Sequence, residues 1–414
     1  MNRRDLRKLD AELREFIGSM VAGMGRTERR DALAAYVTGL LLDGERKSVE
    51  PMAARLVDDP AEIQAMRQRL QQAVVVADWA DDEMRARLAR KLDTELPGVE
   101  ALVVDDTGFP KKGKHSVAVA RQYSGTLGRT DNCQVAVSLH LAGESGSGCI
   151  AMRLYLPEAW AEDRRRREAV GVPADVVFRK KWEIALAQID DALRWGVREH
   201  VVLADAGYGD ASDFREALRK RGLRYVVGIQ GDRLMWPPGT TLEAPEKRAG
   251  EPGRPRTRWT ANTEPVKVVE LAKQLGREAY SVVRWREGSR GKQSSRFIAW
   301  WITSAEGHGR GPGRPPTDSQ WLLCEWPDGE AEPTKFWLAA LPKNTSLVAL
   351  VRLAKLRWRV ERDYQELKQE IGLDHYEGRT WRGFHHHATL CAVAHGFLAL
   401  RRALFPPEEE VDAR

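Results

Sequence analysis

The chain has 414 residues, 42% apolar and 30% charged, with a formal charge of +6 and a pI near 9.1. That is too long for one ordinary core, so two or three domains are expected in a soluble, globular chain. No run of ~18 apolar residues appears, which excludes a membrane span, and residues 1–10 lack the apolar core of a signal peptide. Cys133, Cys149, Cys324 and Cys391 are scattered without a C-x-x-C pair. This argues against a disulfide framework or zinc site and fits a reducing cytoplasm. The basic balance permits a polyanionic partner without proving one.

Residues 1–95 read as helices only. An apolar stripe at helical spacing follows Thr27, Ser48 is placed to cap a short helix to residue 56, and Asp59-Pro60 is a good Ncap–N1 pair for a helix to residue 72. Asp81 is placed to cap another helix, residues 83–92. The two short helices flanking residues 57–59 form either a helix-turn-helix or part of a plain packing bundle. From about 99 the pattern turns to strands at 101–105, 132–141 and 149–156, the last two joined by a Gly-rich turn. A helix (181–195), a strand (200–204), a helix (211–220) and a strand (224–229) follow, giving a mixed α/β sheet. Residues 231–345 carry short apolar runs at 279–285, 297–302, 321–326 and 335–341, interrupted by basic loops at 250–258 and 307–316. Helices return at 346–371 and 383–403.

One helical stretch draws the chemistry together. Arg357, Glu361 and Lys368 fall at i−4, i and i+7, so at ~3.6 residues per turn all three are expected to project from one helical face. Upstream, Asp105-Asp106-Thr107 and Ala204-Asp205-Ala206-Gly207-Tyr208-Gly209 each close a strand. Two strand-end acids and a helical glutamate suggest a two-metal phosphoryl-transfer site. Each residue has a plainer reading: Asp205 as a turn aspartate, Glu361 as a solvated glutamate paired with Arg357 or Lys368. Glu366 and Glu370 are rival acids on the same helix. Asp105 and Asp106 alternate faces, so only one of them points into a site.

The spacing Arg357-x3-Glu361-x6-Lys368 resembles the signature of bacterial insertion-sequence DDE transposases, Tyr-x2-Arg-x3-Glu-x6-Lys, with Ala354 standing at the tyrosine position. Asp105-Asp106-Thr107 looks like the D-x-T of that family's first strand, which favours Asp105 over Asp106, and the Asp205 segment looks like its second motif. Together with the order of elements, the resemblance implies an α/β fold with a ribonuclease H-like mixed-sheet core and a β-rich insertion, preceded by an all-α N-terminal domain. The corresponding domains are 1–95 (helical, DNA-binding), 96–230 (first part of the core), 231–345 (insertion) and 346–404 (core and C-terminal helices), with 405–414 a frayed tail.

The implied activity is metal-dependent DNA cleavage at element ends and joining of 3′-hydroxyls to target DNA. Asp105, Asp205 and Glu361 would hold two Mg²⁺ (or Mn²⁺) ions. Arg357 and Lys368 would contact phosphates. Lys111, Lys112, Lys114 and Arg121 either track the DNA backbone or form a solvated hairpin. Trp300, Trp301 and Trp259 either stack on an unpaired base, as an insertion tryptophan does in that family, or pack in a core. The Gly253-Arg-Pro-Arg256 and Gly313-Arg-Pro315 stretches read as charged loops. His385-His386-His387 cannot grip one ion from consecutive helical positions and are expected to pack or to touch DNA. The implied partners are double-stranded DNA, as terminal inverted repeats and as target, and a second copy of the chain on that DNA. The implied location is the bacterial cytoplasm at the nucleoid, with no membrane. A ribonuclease H-like endonuclease without strand transfer and a catalytically idle DNA-binding descendant are the alternatives.

Overall fold

The computed structural model describes residues 3–125, 128–244, 259–288, 291–305 and 319–405. The two Gly-Arg-Pro stretches and the tail from residue 406 lie outside these. Contacts divide the chain into two units, Met1–His200 with Trp358–Arg414, and Val201–Arg357.

The first unit opens with helices α1 (Arg3–Val21), α2 (Thr27–Leu41), α3 (Val49–Leu56), α4 (Ile63–Gln71) and α5 (Asp81–Glu95). Asp59 accepts from Ala61 N and Pro60 starts a 3₁₀ turn, as the Asp-Pro pair predicts. Four antiparallel strands follow: β1 (Val99–Pro110), β2 (Ala120–Ser124), β3 (Arg129–Gly143) and β4 (Gly146–Leu154). β3 bonds β1 along one edge and β2 and β4 along the other, with Asp105 opposite Ser138. From Cys133 to Gly143 every residue of β3 is buried, which explains its nearly continuous apolar run. Short helices α6 (Glu158–Ala161) and α7 (Arg164–Ala169) lead to α8 (Lys181–Arg194), which packs on β3.

The second unit begins with β5 (Val201–Ala204), α9 (Ala206–Gly209), α10 (Ser212–Lys220) and β6 (Tyr225–Ile229), with β5 and β6 parallel. Then come β7 (Leu234–Trp236), β8 (Leu242–Glu243), β9 (Thr260–Ala261), β10 (Val266–Lys267), α11 (Val268–Gln274), β11 (Ser281–Gly288), β12 (Gly291–Ser304), β13 (Gln320–Trp326), β14 (Lys335–Ala340) and α12 (Leu347–Leu356). Within this unit the strand order is β10-β7-β12-β13-β14-β6-β5, β11 also pairs with β12, and β8 and β9 form a separate ribbon. The apolar runs after residue 231 thus extend the sheet that holds β6, through β14. The protein is therefore mixed α/β.

The first unit is completed by α13 (Trp358–Gln365), a π turn (Glu366–Glu370), a 3₁₀ turn (Leu373–His375) and α14 (Trp381–Leu404). The expected helix over 346–371 is interrupted at Arg357. The reason lies in the two apolar stripes. α12 buries Leu350, Val351 and Leu356 against β6, β11 and β12, whereas α13 and the turn after it bury Val360 and Leu367, with α13 packed on β1 and β4. Every residue of α14 from Gly383 to Phe397 is buried, and the helix packs against α1, α2, α5 and β4. The three histidines are therefore core residues: His386 stacks on Trp79 at 3.9 Å and His387 on Tyr376 at 5.2 Å. Burial pushes His385 down to about 3 and His387 to about 4, so both are neutral. All four cysteines are buried free thiols.

Candidate active site

Alternation along β1 separates the two neighbouring aspartates. Asp106 turns toward α8, where its Oδ2 pairs with Lys181 Nζ at 3.0 Å. Asp105, 9% exposed, accepts from Asp106 N through its own Oδ1 at 2.8 Å. Its neighbour across the sheet, Ser138, meets the Tyr364 hydroxyl at 2.6 Å. Burial, and next the charge of Asp105, push Tyr364 well above the ordinary tyrosine range, so it keeps its proton. Asp105 is thus the acid on the α13 side of β1.

Helix α13 is fastened there by a buried polar chain. His140 Nε2 lies 2.9 Å from Ser138 Oγ, and His140 Nδ1 lies 2.7 Å from Asp363 Oδ2. Ser147 on β4 donates to Asp363 Oδ1 at 2.6 Å. The chain Tyr364–Ser138–His140–Asp363–Ser147 leaves α13, crosses β3 and returns to α13 and β4. Burial opposes a charge on His140, but nearby Cys149 and the Asp363 carboxylate outweigh it, and the imidazole is pushed up to about 10. Glu361, exposed, precedes Tyr364 by three residues and so shares its face of the helix.

Lys368 sits in the π turn that follows. Its Nζ donates to Gly108 O on β1 at 2.9 Å and lies 5.1 Å from the Phe109 ring centroid. Burial pushes it down to about 8. The rival acids are occupied: burial works against the charge of Glu366, but hydrogen bonds from His395, Arg402 and Arg362 hold it down at about 2. Glu370 pairs with Arg402 at 3.4 Å.

In the second unit Asp205 closes β5 and caps α9, accepting from Gly207 N at 3.0 Å. The segment after it folds tightly onto β6. A Cβ on Gly209 would stand 1.9 Å from Gly228 O, and one on Gly228 would stand 2.9 Å from Ala206 N. Both glycines are required by that approach. The acid therefore stands at the carboxyl end of a parallel strand pair, the usual site position in open α/β sheets. Arg357 ends α12 in the same unit.

The other expected residues are distributed as follows. Lys111 donates to Tyr376 O at 3.1 Å, while Lys112, Lys114 and Arg121 are exposed. Trp300, Trp301 and Trp259 are half-buried, with Trp301 edge-on to Trp321 at 5.4 Å. The polar chain behind Asp105 was missed in the sequence. Its signal was available: Ser138 and His140 are polar residues two apart in an otherwise apolar strand, which puts both on one face.

Among the described residues no group of three or more His, Cys, Asp or Glu side chains stands ready to hold an ion. The donors of Asp105, Asp205 and Glu361 are all carboxylate oxygens, a set that suits Mg²⁺ or Mn²⁺ and lacks the thiolates and imidazoles that favour zinc. Among the described residues no helix is long and apolar enough to cross a membrane.

A family model described as DDE superfamily endonuclease matches residues 19–292. A protein from Microchaete diplosiphon, described as a probable transposase for insertion sequence element IS701, is 29% identical over 199 residues, 48% of each chain. The chain thus spans about half the length of that relative. A solved piggyBac transposase synaptic complex with hairpin DNA aligns with 97% of this chain and 80% of its own at 10% identity, with a TM-score of 0.38.

Proposed function

The chain belongs to the DDE superfamily endonucleases, and from that premise we propose that it is an insertion-sequence transposase. In this reading it binds the terminal inverted repeats of its element, cleaves the DNA at the ends and joins the 3′-hydroxyls to target DNA. The observation that carries the reading is the placement of Asp105, a nearly buried carboxylate beside Tyr364 on the helix that also bears Glu361. An antiparallel group whose first strand bears one acid, and a parallel strand pair ending in another, support a ribonuclease H-like core.

Asp105, Asp205 and Glu361 are the metal-holding carboxylates, with two Mg²⁺ or Mn²⁺ ions per site. Bound ions of this kind activate an attacking water or 3′-hydroxyl and stabilise the leaving oxygen. Asp106, taken up by Lys181, keeps β1 in register with α8. The polar chain through His140 and Asp363 holds α13, and with it Glu361, against β1 and β3. Lys368, pushed down to about 8, is still mostly charged at pH 7 and serves a phosphate of the bound strand, with Arg357 serving another. Lys112, Lys114 and Arg121 follow the DNA backbone, and Trp300 or Trp301 takes an unpaired base. Residues 1–95 contribute end recognition, two copies act on the paired ends, and the protein works at the bacterial nucleoid.

The test uses the full chain and a plasmid bearing the repeats that flank its coding sequence. Cleavage and end-joining should require Mg²⁺ or Mn²⁺. Asp205→Asn and Glu361→Gln should lose both while retaining a gel shift with end DNA. Near-normal cleavage by either variant overturns its assignment as a ligand. Cleavage without joining would instead select a nuclease.

A further inference from the structure

A groove on the first unit brings Lys112 together with Arg46 and Arg379, neither of which has a role in the transposase reading. It consists of two adjoining cavities of about 520 Å³ and 740 Å³ that share Arg46, Ser48 and the 375–377 turn. One wall is the loop after β1, which holds Lys112 and Ser116. A second is the connection from α2 to α3, and a third is the turn before α14 that carries Arg379. Asp374 and Glu377 line the same space. Even so, among the described residues Arg46, Lys112 and Arg379 form no ion pair with them or with any other acid. Ser48, at the N-terminus of α3, makes no cap bond with its side chain. Among the described residues, three cations without an ion-pair partner and two serines therefore border an open channel that runs from the helical segment to the loop after the strand bearing Asp105.

We propose that this groove is a track for the sugar–phosphate backbone of duplex DNA, with Arg46, Lys112 and Arg379 each neutralising a phosphate. The proposal rests on the transposase reading and adds to it a site shared by the N-terminal helices and the core. Its position fixes where it acts. Pro110, at the end of β1, lies five residues beyond Asp105, or about 17 Å at ~3.3 Å per residue. One DNA segment then touches the N-terminal helices and the cleavage strand of the same copy.

The test is the salt dependence of binding by the full chain to a 30-bp duplex of arbitrary sequence, without divalent metal, followed by fluorescence anisotropy. Each of Arg46→Gln, Lys112→Gln and Arg379→Gln should lower the slope of log K against log salt by about 0.9, and the triple variant by about 2.7. Lys220→Gln, on α10 and outside the groove, should leave it unchanged. All four positions are exposed, and thermal melts check that the variants fold. If wild type binds and the groove variants keep its slope, the groove proposal is overturned together with the Lys112 backbone contact, while the transposase reading, which rests on the carboxylates, stands. A slope change as large in Lys220→Gln also overturns the groove. If wild type binds no duplex at all, the transposase reading falls with it.

Discussion

Asp363→Asn tests the fastening of α13 most directly. The substitution keeps the shape of the side chain and removes the carboxylate that faces His140, in a pair whose side chains are 0% and 5% exposed. Removing one partner of a buried pair costs about 3–5 kcal/mol. The net rise of His140 from 6.5 to about 10, to which Cys149 also contributes, corresponds to about 5 kcal/mol at ~1.4 kcal/mol per unit, the same order. The sign follows from linkage. A histidine raised in the folded state contributes stability that is complete below about pH 6.5 and lost as pH climbs through about 10. The deficit of Asp363→Asn should therefore be several kcal/mol at pH 6, smaller at pH 8 and slight at pH 10. Denaturant titration of the full chain at these three values measures it. A deficit below ~1 kcal/mol at pH 6, or one that does not change with pH, would refute a charged His140–Asp363 pair.

Asp106→Asn breaks a pair with side chains 33% and 22% exposed, worth ~0–1 kcal/mol, and should retain cleavage where Asp105→Asn abolishes it. Equal loss in both variants would remove the face assignment. DNA affinity should weaken between pH 7 and 9 as Lys368, pushed down to about 8, loses its proton. Lys368→Arg should flatten that dependence, and identical pH profiles would count against a phosphate role. Gly209→Ala places a methyl 1.9 Å from Gly228 O, a backbone atom that cannot swing aside. It should cost at least ~2 kcal/mol or yield insoluble protein, and an unchanged melting temperature would show that the turn can relax.

The sequence was most legible where one residue type can serve one local purpose. Asp59-Pro60 starts its turn, and the glycines after Asp205 mark a close approach to β6. Strand β3 was readable because a doubly buried strand needs a continuous apolar run. The interruption at Arg357 was hidden, since the helical periodicity of α12 and α13 is locally sound and only the change of partner breaks it. β2, with its mixture of exposed and buried residues, carries little apolar pattern and was missed. The histidine triplet shows the reverse case. Its residues invite a ligand or DNA-contact reading by type, yet a helix buried on all sides makes each of them a packing residue. The role of Asp363 was invisible because its partners, His140 and Ser147, lie more than 200 residues away in sequence.

The central position of α14 bears on how the protein is made. The first unit's opening segment ends at His200, but the helix around which α1, α2 and α5 pack begins only at Trp381. At ~5–20 residues per second, that helix leaves the ribosome roughly 10–35 s after the opening segment. Through that interval the faces of α1, α2 and α5 that α14 covers are exposed, while Val201–Arg357, which is contiguous, is free to fold during synthesis. A nascent chain should therefore gain protease resistance in the order second unit, then first. A stop codon before residue 381 should leave the N-terminal helices dependent on chaperones, although they are translated before the second unit.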